Sequence, residues 1–255
     1  MKTTVICHIF NEEYLLPFWL EHHRTVFDHG VIIDYHSTDG SVALVHRLCP
    51  TWTVRTSRNL TFDAAETDRE VMDVEAGIEG IKVALNVTEF VFPKEPLRCL
   101  FGGGAAECFR MEALTPVSDA EAEAEDHPAS LGELLAGVRR VARGHRMGHR
   151  FVHSHPTGRY TVGRHSTALE SRPLPSPDSV VLLWFGFYPW NSHVLRRKLQ
   201  IMANIPSSDV EAHFDIMRQH AMTRQQMEDE RRRLSAASEP WSLEARKHTM
   251  TMRHN

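Results

Sequence analysis

Apolar and polar positions alternate regularly over the first ninety residues. Residues 5–10 are a short apolar run that stops abruptly in Asn11-Glu12-Glu13. Residues 14–27 then place Leu15, Leu16, Trp19, Leu20, Val26 and Phe27 at helical spacing. Pro17 is tolerable there because it falls in the first turn, where a backbone N–H has no intrahelical acceptor. Gly30 is a stop. Val31-Ile32-Ile33 predicts a second strand that runs into Asp34-Tyr35-His36-Ser37-Thr38-Asp39-Gly40, and Ser41 can cap a helix carrying Val42, Leu44, Val45 and Leu48. Residues 51–56 alternate like a third strand, and residues 62–79 are polar but helix-compatible. Residues 81–87 are a fourth apolar strand leading into Thr88-Glu89-Phe90. Strand–helix–strand order with short connections predicts an α/β fold. Its central sheet is mostly parallel, flanked by helices and joined by right-handed crossovers.

Beyond Pro93 the pattern loosens. Gly102-Gly103-Gly104 reads as a bend between two strands, and residues 118–127 (SDAEAEAEDH) as an acidic surface loop. A short amphipathic helix covers 131–141, and basic residues accumulate from Arg139 to Arg164. Arg150-Phe151-Val152-His153 reads as a strand edge. His145 and His149 have i, i+4 spacing, but Gly144 and Gly148 break any helix there and no HExxH glutamate is present. Residues 180–188 are an aromatic strand or turn, 192–201 a basic helix and 210–234 a long polar helix. With no internal repeat and no clear linker, the expectation is one domain over 1–200 with a helical extension, 201–255, packed on it.

Composition narrows the class. The 255 residues are 42% hydrophobic and 24% charged, with a formal net charge of −4. That balance describes an ordinary globular protein and gives no reason to expect nucleic acid or an anionic membrane as partner. No segment has the length of a transmembrane helix, and the first apolar run is too short for a signal peptide. Cys7, Cys49, Cys99 and Cys108 lack CxxC spacing. They read as reduced, mostly buried thiols, and the expected location is cytoplasmic, with peripheral membrane association left open.

Chemistry concentrates at strand ends. Ligands of open parallel sheets bind at the carboxyl edge, and three of the four early strands end there in polar clusters: Asn11-Glu12-Glu13, Asp34 to Gly40, and Asn86 to Glu89. The plainer alternative is that Glu12 and Glu13 match a helix dipole and Asp39-Gly40-Ser41 is a turn with a cap. On the next helix, Arg69 could reach a phosphate, or it and its neighbours Glu66 and Asp68 form a solvated face. His23 shares a face with Leu16, Trp19 and Leu20 and reads as a buried, hydrogen-bonded imidazole. The rings of Trp184, Phe185, Phe187, Tyr188 and Trp190 could stack a sugar or close the core.

NEEYLLPFWLEHH followed by DYHSTDGS resembles family-2-like glycosyltransferases of the GT-A fold, in the subgroup with NE..L..WL.HH and D..S.DGS motifs. ALNVTEFVF stands where that subgroup has an Asp-x-Asp-Glu-Phe motif, GRHST (163–167) resembles its late G.H element, and FYPWNSHVLRRK (187–198) its terminal helix start. The likeness spans roughly residues 3–200. It implies a Rossmann-like nucleotide-binding half and transfer of a sugar from a nucleotide diphosphate sugar donor to a glycan or other hydroxyl acceptor, in surface glycan or polysaccharide synthesis. By position it implies Ile9, Asn11, Glu12, Asp34, Ser37, Asp39, Asn86 and Thr88 as nucleotide-sugar-binding residues, to which the helix position above adds Arg69, and Glu89 with His165 as ligands for Mn2+ or Mg2+. Glu89 or Asp119 is the candidate catalytic carboxylate, with Glu107 and Glu121 as further candidates. The chain departs from the pattern at Asn86 and Thr88, which replace the aspartates. Either Glu89 and His165 hold the metal with help from the diphosphate, or the basic stretch from Arg139 to Arg164 supplies the countercharge. A catalytically inactive nucleotide- or glycan-binding relative is the alternative, and a histidine-based metal hydrolase a remote third. The main reading requires Asn11, Asp39 and Glu89 to converge around one nucleotide-sized crevice.

Overall fold

The computed structural model describes residues 1–118, 127–143, 149–201, 204–206 and 222–242. In chain order the elements are β1 (Thr3–Ile9), α1 (Leu16–Val26), β2 (His29–Asp34), α2 (Ser41–Leu48), β3 (Thr53–Thr56), α3 (Ala64–Ala76), β4 (Ile81–Asn86) and β5 (Glu89–Pro93). They continue with β6 (Cys108–Val117), α4 (Leu131–Ala136), β7 (Arg140–Ala142), β8 (His149–His153), β9 (Arg172–Pro173), β10 (Val180–Trp184), α5 (Ser192–Gln200), α6 (Arg224–Ala236) and β11 (Glu239–Pro240).

The expected α/β architecture is present. The sheet runs β11-β7-β6-β8-β4-β1-β2-β3, with β9 beside β6 and β10 bridging β5 and β6. Pairing is parallel from β3 through β2 and β1 to β4. Antiparallel β8 then separates β4 from β6. Among the described strands, all but β5, β7 and β8 run in one direction.

The period of two in each strand decides what faces what. Val5, Cys7 and Ile9 of β1 join Ile32, Val83 and Leu85 against α1 and Val45 of α2. Ile6, Val31, Ile33 and Ala84 point the other way, against Val71 and Val74 of α3. The strands are therefore covered on both faces, as a parallel sheet requires. Gly30 is obligatory in β2, because a Cβ there would lie 2.2 Å from the Trp52 ring. Met222, Met227, Leu234 and Trp241 belong to the same core as β1 and α1, so α6 is packed on the sheet domain. Pro17 sits in the first turn of α1, and Cys7, Cys49, Cys99 and Cys108 are free thiols, all but Cys99 buried. No helix among the described residues is long and apolar enough to cross a membrane.

Three local expectations change. Ser41 is the first residue of α2 rather than its cap, because its hydroxyl accepts the Glu12 N–H at 2.8 Å. The glycine run lies between a 3-10 turn, Leu97–Leu100, and β6, not between two strands. β8 is not an edge, since it is paired on both sides. Only α6 of the long polar helix, and His149 but not His145, fall within the described residues.

Candidate functional site

A crevice opens at the carboxyl ends of β1 and β4, and the parallel register builds it. His8 lies opposite Asn86, and both stand on the α3 face by parity with Ile6 and Ala84. The first turn of α3 contributes Ala64, Thr67 and Asp68 to the lining. The first turn of α3 is capped by the Asp63 side chain, which accepts the Glu66 N–H at 2.8 Å. Gly163, Arg164 and His165 close one wall, Trp184 and Gly186 another, and Arg197 and Lys198 of α5 a third. The crevice is open to solvent on one side, and its volume is about 150 Å3. That is small for a whole small-molecule site and suits one charged group with the rest of a ligand lying outside.

Two buried arginines organise these walls. Arg150, 1% exposed, is bidentate to Glu89, with Nη2–Oε1 at 2.7 Å and Nε–Oε2 at 2.9 Å. Its Nη1 also donates to the Gly163 and Arg164 carbonyls and to His165 Nδ1 at 2.8 Å. Accepting that bond requires a neutral imidazole. Burial, then the neighbouring Arg150 and Arg164, lower the His165 pKa to about 3. Arg164 ion-pairs with Asp68, donates to Asn86 Oδ1 at 2.8 Å, and approaches His8 Nδ1 at 3.4 Å. Gly163 N–H donates to the other Asp68 oxygen at 2.6 Å. Arg164 has a φ of 57°, a left-handed conformation that costs a non-glycine residue on the order of 1 kcal/mol. Its ion pair holds it there, a pattern typical of functional positions. Arg164 Nε is buried with no acceptor.

Lys198 differs from both arginines. It is 3% exposed, and its Nζ sits 3.9 Å from the Phe187 ring centroid and 5.7 Å from that of Trp184. Among the described residues no carboxylate pairs with it. Burial first, then the like charge of Arg197, lower its pKa to about 7 against a weaker pull from Glu230. Its neighbour Arg197 is satisfied, with Nε 2.5 Å from Glu12 Oε2. Burial raises the Glu12 carboxyl, opposed by Arg197.

The predicted site residues divide into groups. Glu12, Asn86 and Thr88 line the crevice, as does His165. Glu89 lies behind Arg150, 2% exposed, and also accepts the Asn86 N–H at 2.7 Å. Ile9 and Asp34 have the opposite strand parity, facing α1 and α2. Ile9 is core, and Asp34 accepts the Ser37 N–H at 3.1 Å. Asn11, Ser37 and Asp39 tie two turns together. Asn11 Oδ1 accepts N–H bonds from Thr38 at 2.7 Å and Asp39 at 3.3 Å, Ser37 Oγ accepts from Asn11 N, and Asp39 accepts from Ser41 and Glu13. Arg69 is exposed on α3 and pairs with Glu66, the solvated face. Asp119 and Glu121 lie outside the described residues. Glu107 accepts from Gly102 and Arg172 and does not line the crevice.

The expected single convergence is replaced by two cavities. Asn11 and Asp39 line a second one of about 760 Å3, with Tyr14, Arg47, His127 and His193 among its walls. Glu12 and Arg197 line both cavities, so their ion pair is the partition. His23 is buried as expected, with Nδ1 bonded to the Trp19 carbonyl and Nε2 accepting the Val91 N–H. Trp184 lines the crevice, while Phe185, Phe187, Tyr188 and Trp190 are core.

With this geometry in view, comparisons with known proteins add context. No protein-family model matches the sequence, and no curated protein matches it. Solved structures do. S. aureus TarS 1-349 in complex with UDP-GlcNAc is 16% identical over 50% of this chain and 38% of its own, with a TM-score of 0.33. Another structure of S. aureus TarS 1-349 is 14% identical over 87% of this chain and 71% of its own, with a TM-score of 0.39. Glucosyl-3-phosphoglycerate synthase from Mycobacterium tuberculosis, in complex with Mn2+, UDP and glucosyl-3-phosphoglycerate, is 15% identical, covering 45% of this chain and 44% of its own, with a TM-score of 0.30. The chain thus spans less than half of two of these three relatives. Likenesses of this size carry no argument about activity.

The residues do not fit the metal that the sequence resemblance implies. Mn2+ and Mg2+ need several oxygen donors of high negative charge. Both Glu89 oxygens are taken by a guanidinium, and His165 Nδ1 accepts from the same group. A divalent ion between them would face Arg150 directly. Among the described residues no three His, Cys, Asp or Glu side chains are grouped to hold a metal. The expectation that Glu89 and His165 are metal ligands is corrected accordingly: both are partners of Arg150. Sequence reasoning overlooked Asp68 as a site residue and Lys198 as a buried cation. Each has a readable signal, lying on the buried stripe of its helix with Val71 and Val74, or with Val194 and Leu195.

Proposed function

We propose that the chain binds a nucleotide diphosphate sugar at the crevice and transfers its sugar to a hydroxyl acceptor in glycan synthesis. The observation that carries this reading is the set of buried cations, Arg164 and Lys198, at the carboxyl edge of parallel strands, beside the sequence motifs that resemble glycosyltransferases. Breaking the glycosidic bond leaves negative charge on the nucleoside diphosphate, and preorganised cations in a dry cleft stabilise that charge. Phe10 and Phe62, packed edge-to-face at 5.2 Å on the crevice wall, offer apolar surface for the base. The acceptor proton goes to a carboxylate, and Asp119 is our candidate. Glu89 serves to fix Arg150.

The test is thermal stability with UDP, GDP, CDP or dTDP in excess. One of the four raises the melting temperature, and a flat response to all four would remove the reading. One observation favours an inactive binder instead: Glu12 and Asp68, the carboxylates lining the crevice, are both ion-paired with arginine. Donor hydrolysis or transfer alongside nucleotide binding separates enzyme from binder.

A further inference from the structure

Three cations line the crevice besides Arg150, and their partners differ. Arg197 answers Glu12, and Arg164 answers Asp68 and Asn86. Lys198 has two aromatic faces and, among the described residues, no ion-paired carboxylate, only the weaker pull of Glu230. An ammonium is strongly hydrated, and removing it from water without an anion is costly. Two ring faces offset only part of that cost. A second atom, the buried Nε of Arg164 in the 163–165 wall of the same crevice, also lacks an acceptor. Under-partnered donors of one sign, lining one crevice with room for a small charged group, suit an anion.

We infer that Lys198 is the direct ligand of the diphosphate and that this chain binds that group without a divalent metal. The inference rests on the donor reading for the identity of the anion, but not for its charge. It differs from the earlier expectation that the 139–164 stretch supplies countercharge. In that stretch Arg150 and Arg164 already have ion-paired carboxylates, and the cation without one among the described residues comes from α5. Arg150, through Glu89 and His165, holds the 163–165 wall in place and is a positioning residue.

Titration calorimetry with inorganic pyrophosphate, and separately with the four nucleoside diphosphates, tests this in EDTA and in excess Mn2+. Wild-type protein is expected to bind pyrophosphate in EDTA, with a Kd within about twofold of that in Mn2+. Lys198→Met is expected to weaken binding at least tenfold. Its melting temperature should not fall, since an apolar chain of similar length suits Phe187. Lys198→Gln provides a second variant. Binding that appears only with Mn2+ would overturn the inference while leaving the donor reading standing. Metal-free binding unchanged in both variants would remove Lys198 as the ligand. Metal-free pyrophosphate binding with no gain from any nucleoside would uphold the anion site and overturn the donor reading. Absence of binding to every probe would overturn both.

Discussion

Two groups of polar residues sit at strand ends on either side of the Glu12–Arg197 ion pair, and they do opposite things. In the turns after β1 and β2, each hydrogen bond of Asn11, Ser37 and Asp39 described above is to another part of the turns. Asn11, with a φ of 51°, sits in the left-handed region that asparagine tolerates better than most residues. In the crevice, by contrast, pairing is incomplete among the described residues: Lys198 has no ion-paired carboxylate and Arg164 Nε no acceptor. A polar cluster at the ligand edge of a sheet is therefore not one signal but two. A cluster whose groups satisfy each other fixes the backbone, and a cluster with a residual charge of one sign is prepared for a ligand.

Four substitutions separate the two kinds of cluster. The largest effect is expected for Glu89→Gln, which leaves Arg150 charged and buried and should cost about 3–5 kcal/mol in denaturant unfolding. A loss under about 1 kcal/mol would show that the pair is not the keystone of the 163–165 wall. Asn11→Ala removes the acceptor for Thr38 and Asp39 and should cost about 1–3 kcal/mol. If it abolished anion binding with no loss of stability, the two clusters would be wrongly divided. Arg69→Ala, on an exposed helical pair, should change stability by less than about 1 kcal/mol and leave nucleotide affinity alone. A large loss of affinity would return Arg69 to the site.

Lys198→Met sharpens the comparison through pH. The folded-state pKa is lowered from 10.5 to about 7, so between those values the unfolded chain binds more protons than the folded one. Wild-type stability then rises with pH through that window. The advantage of Lys198→Met is greatest below pH 7 and shrinks toward 10.5. The charged groups facing Lys198 are Arg197 and Glu230, with Glu12, Asp68, Arg150, Arg164, His165 and His8 around the same crevice. Parallel stability curves for the two proteins from pH 6 to 10 would mean that Lys198 is not buried as a titrating amine.

Much of this was readable in the chain, and the remainder failed for definite reasons. The β1-α1-β2-α2-β3-α3-β4 order follows from apolar runs separated by helical spacing, and it places the crevice at the correct edge. Strand parity, available from the same residues, distinguishes Asn86 and His8 from Ile9 and Asp34. Neglecting it made every polar strand end look equivalent. β5 was hidden because Glu89 begins a strand directly after β4, with only Val87 and Thr88 between them. The pairing of Glu89 with Arg150 spans 61 residues and has no local signature. Read by motif resemblance alone, Glu89 therefore looks like the remnant of a metal site, when its side chain has an arginine as its partner. Lys198 was legible as a lysine on the apolar stripe of α5, but its meaning depends on which rings and carboxylates tertiary structure brings near it.

The most direct measurement is a crystal structure with whichever nucleoside diphosphate gives the largest melting shift, grown in EDTA. The diphosphate should lie within hydrogen-bonding distance of Lys198 Nζ in the crevice at the carboxyl ends of β1 and β4, with no metal ion between it and Glu89. Density for the diphosphate in the neighbouring cavity beside Asn11 and Asp39, with Lys198 still against its rings and touching no anion, would contradict the proposal.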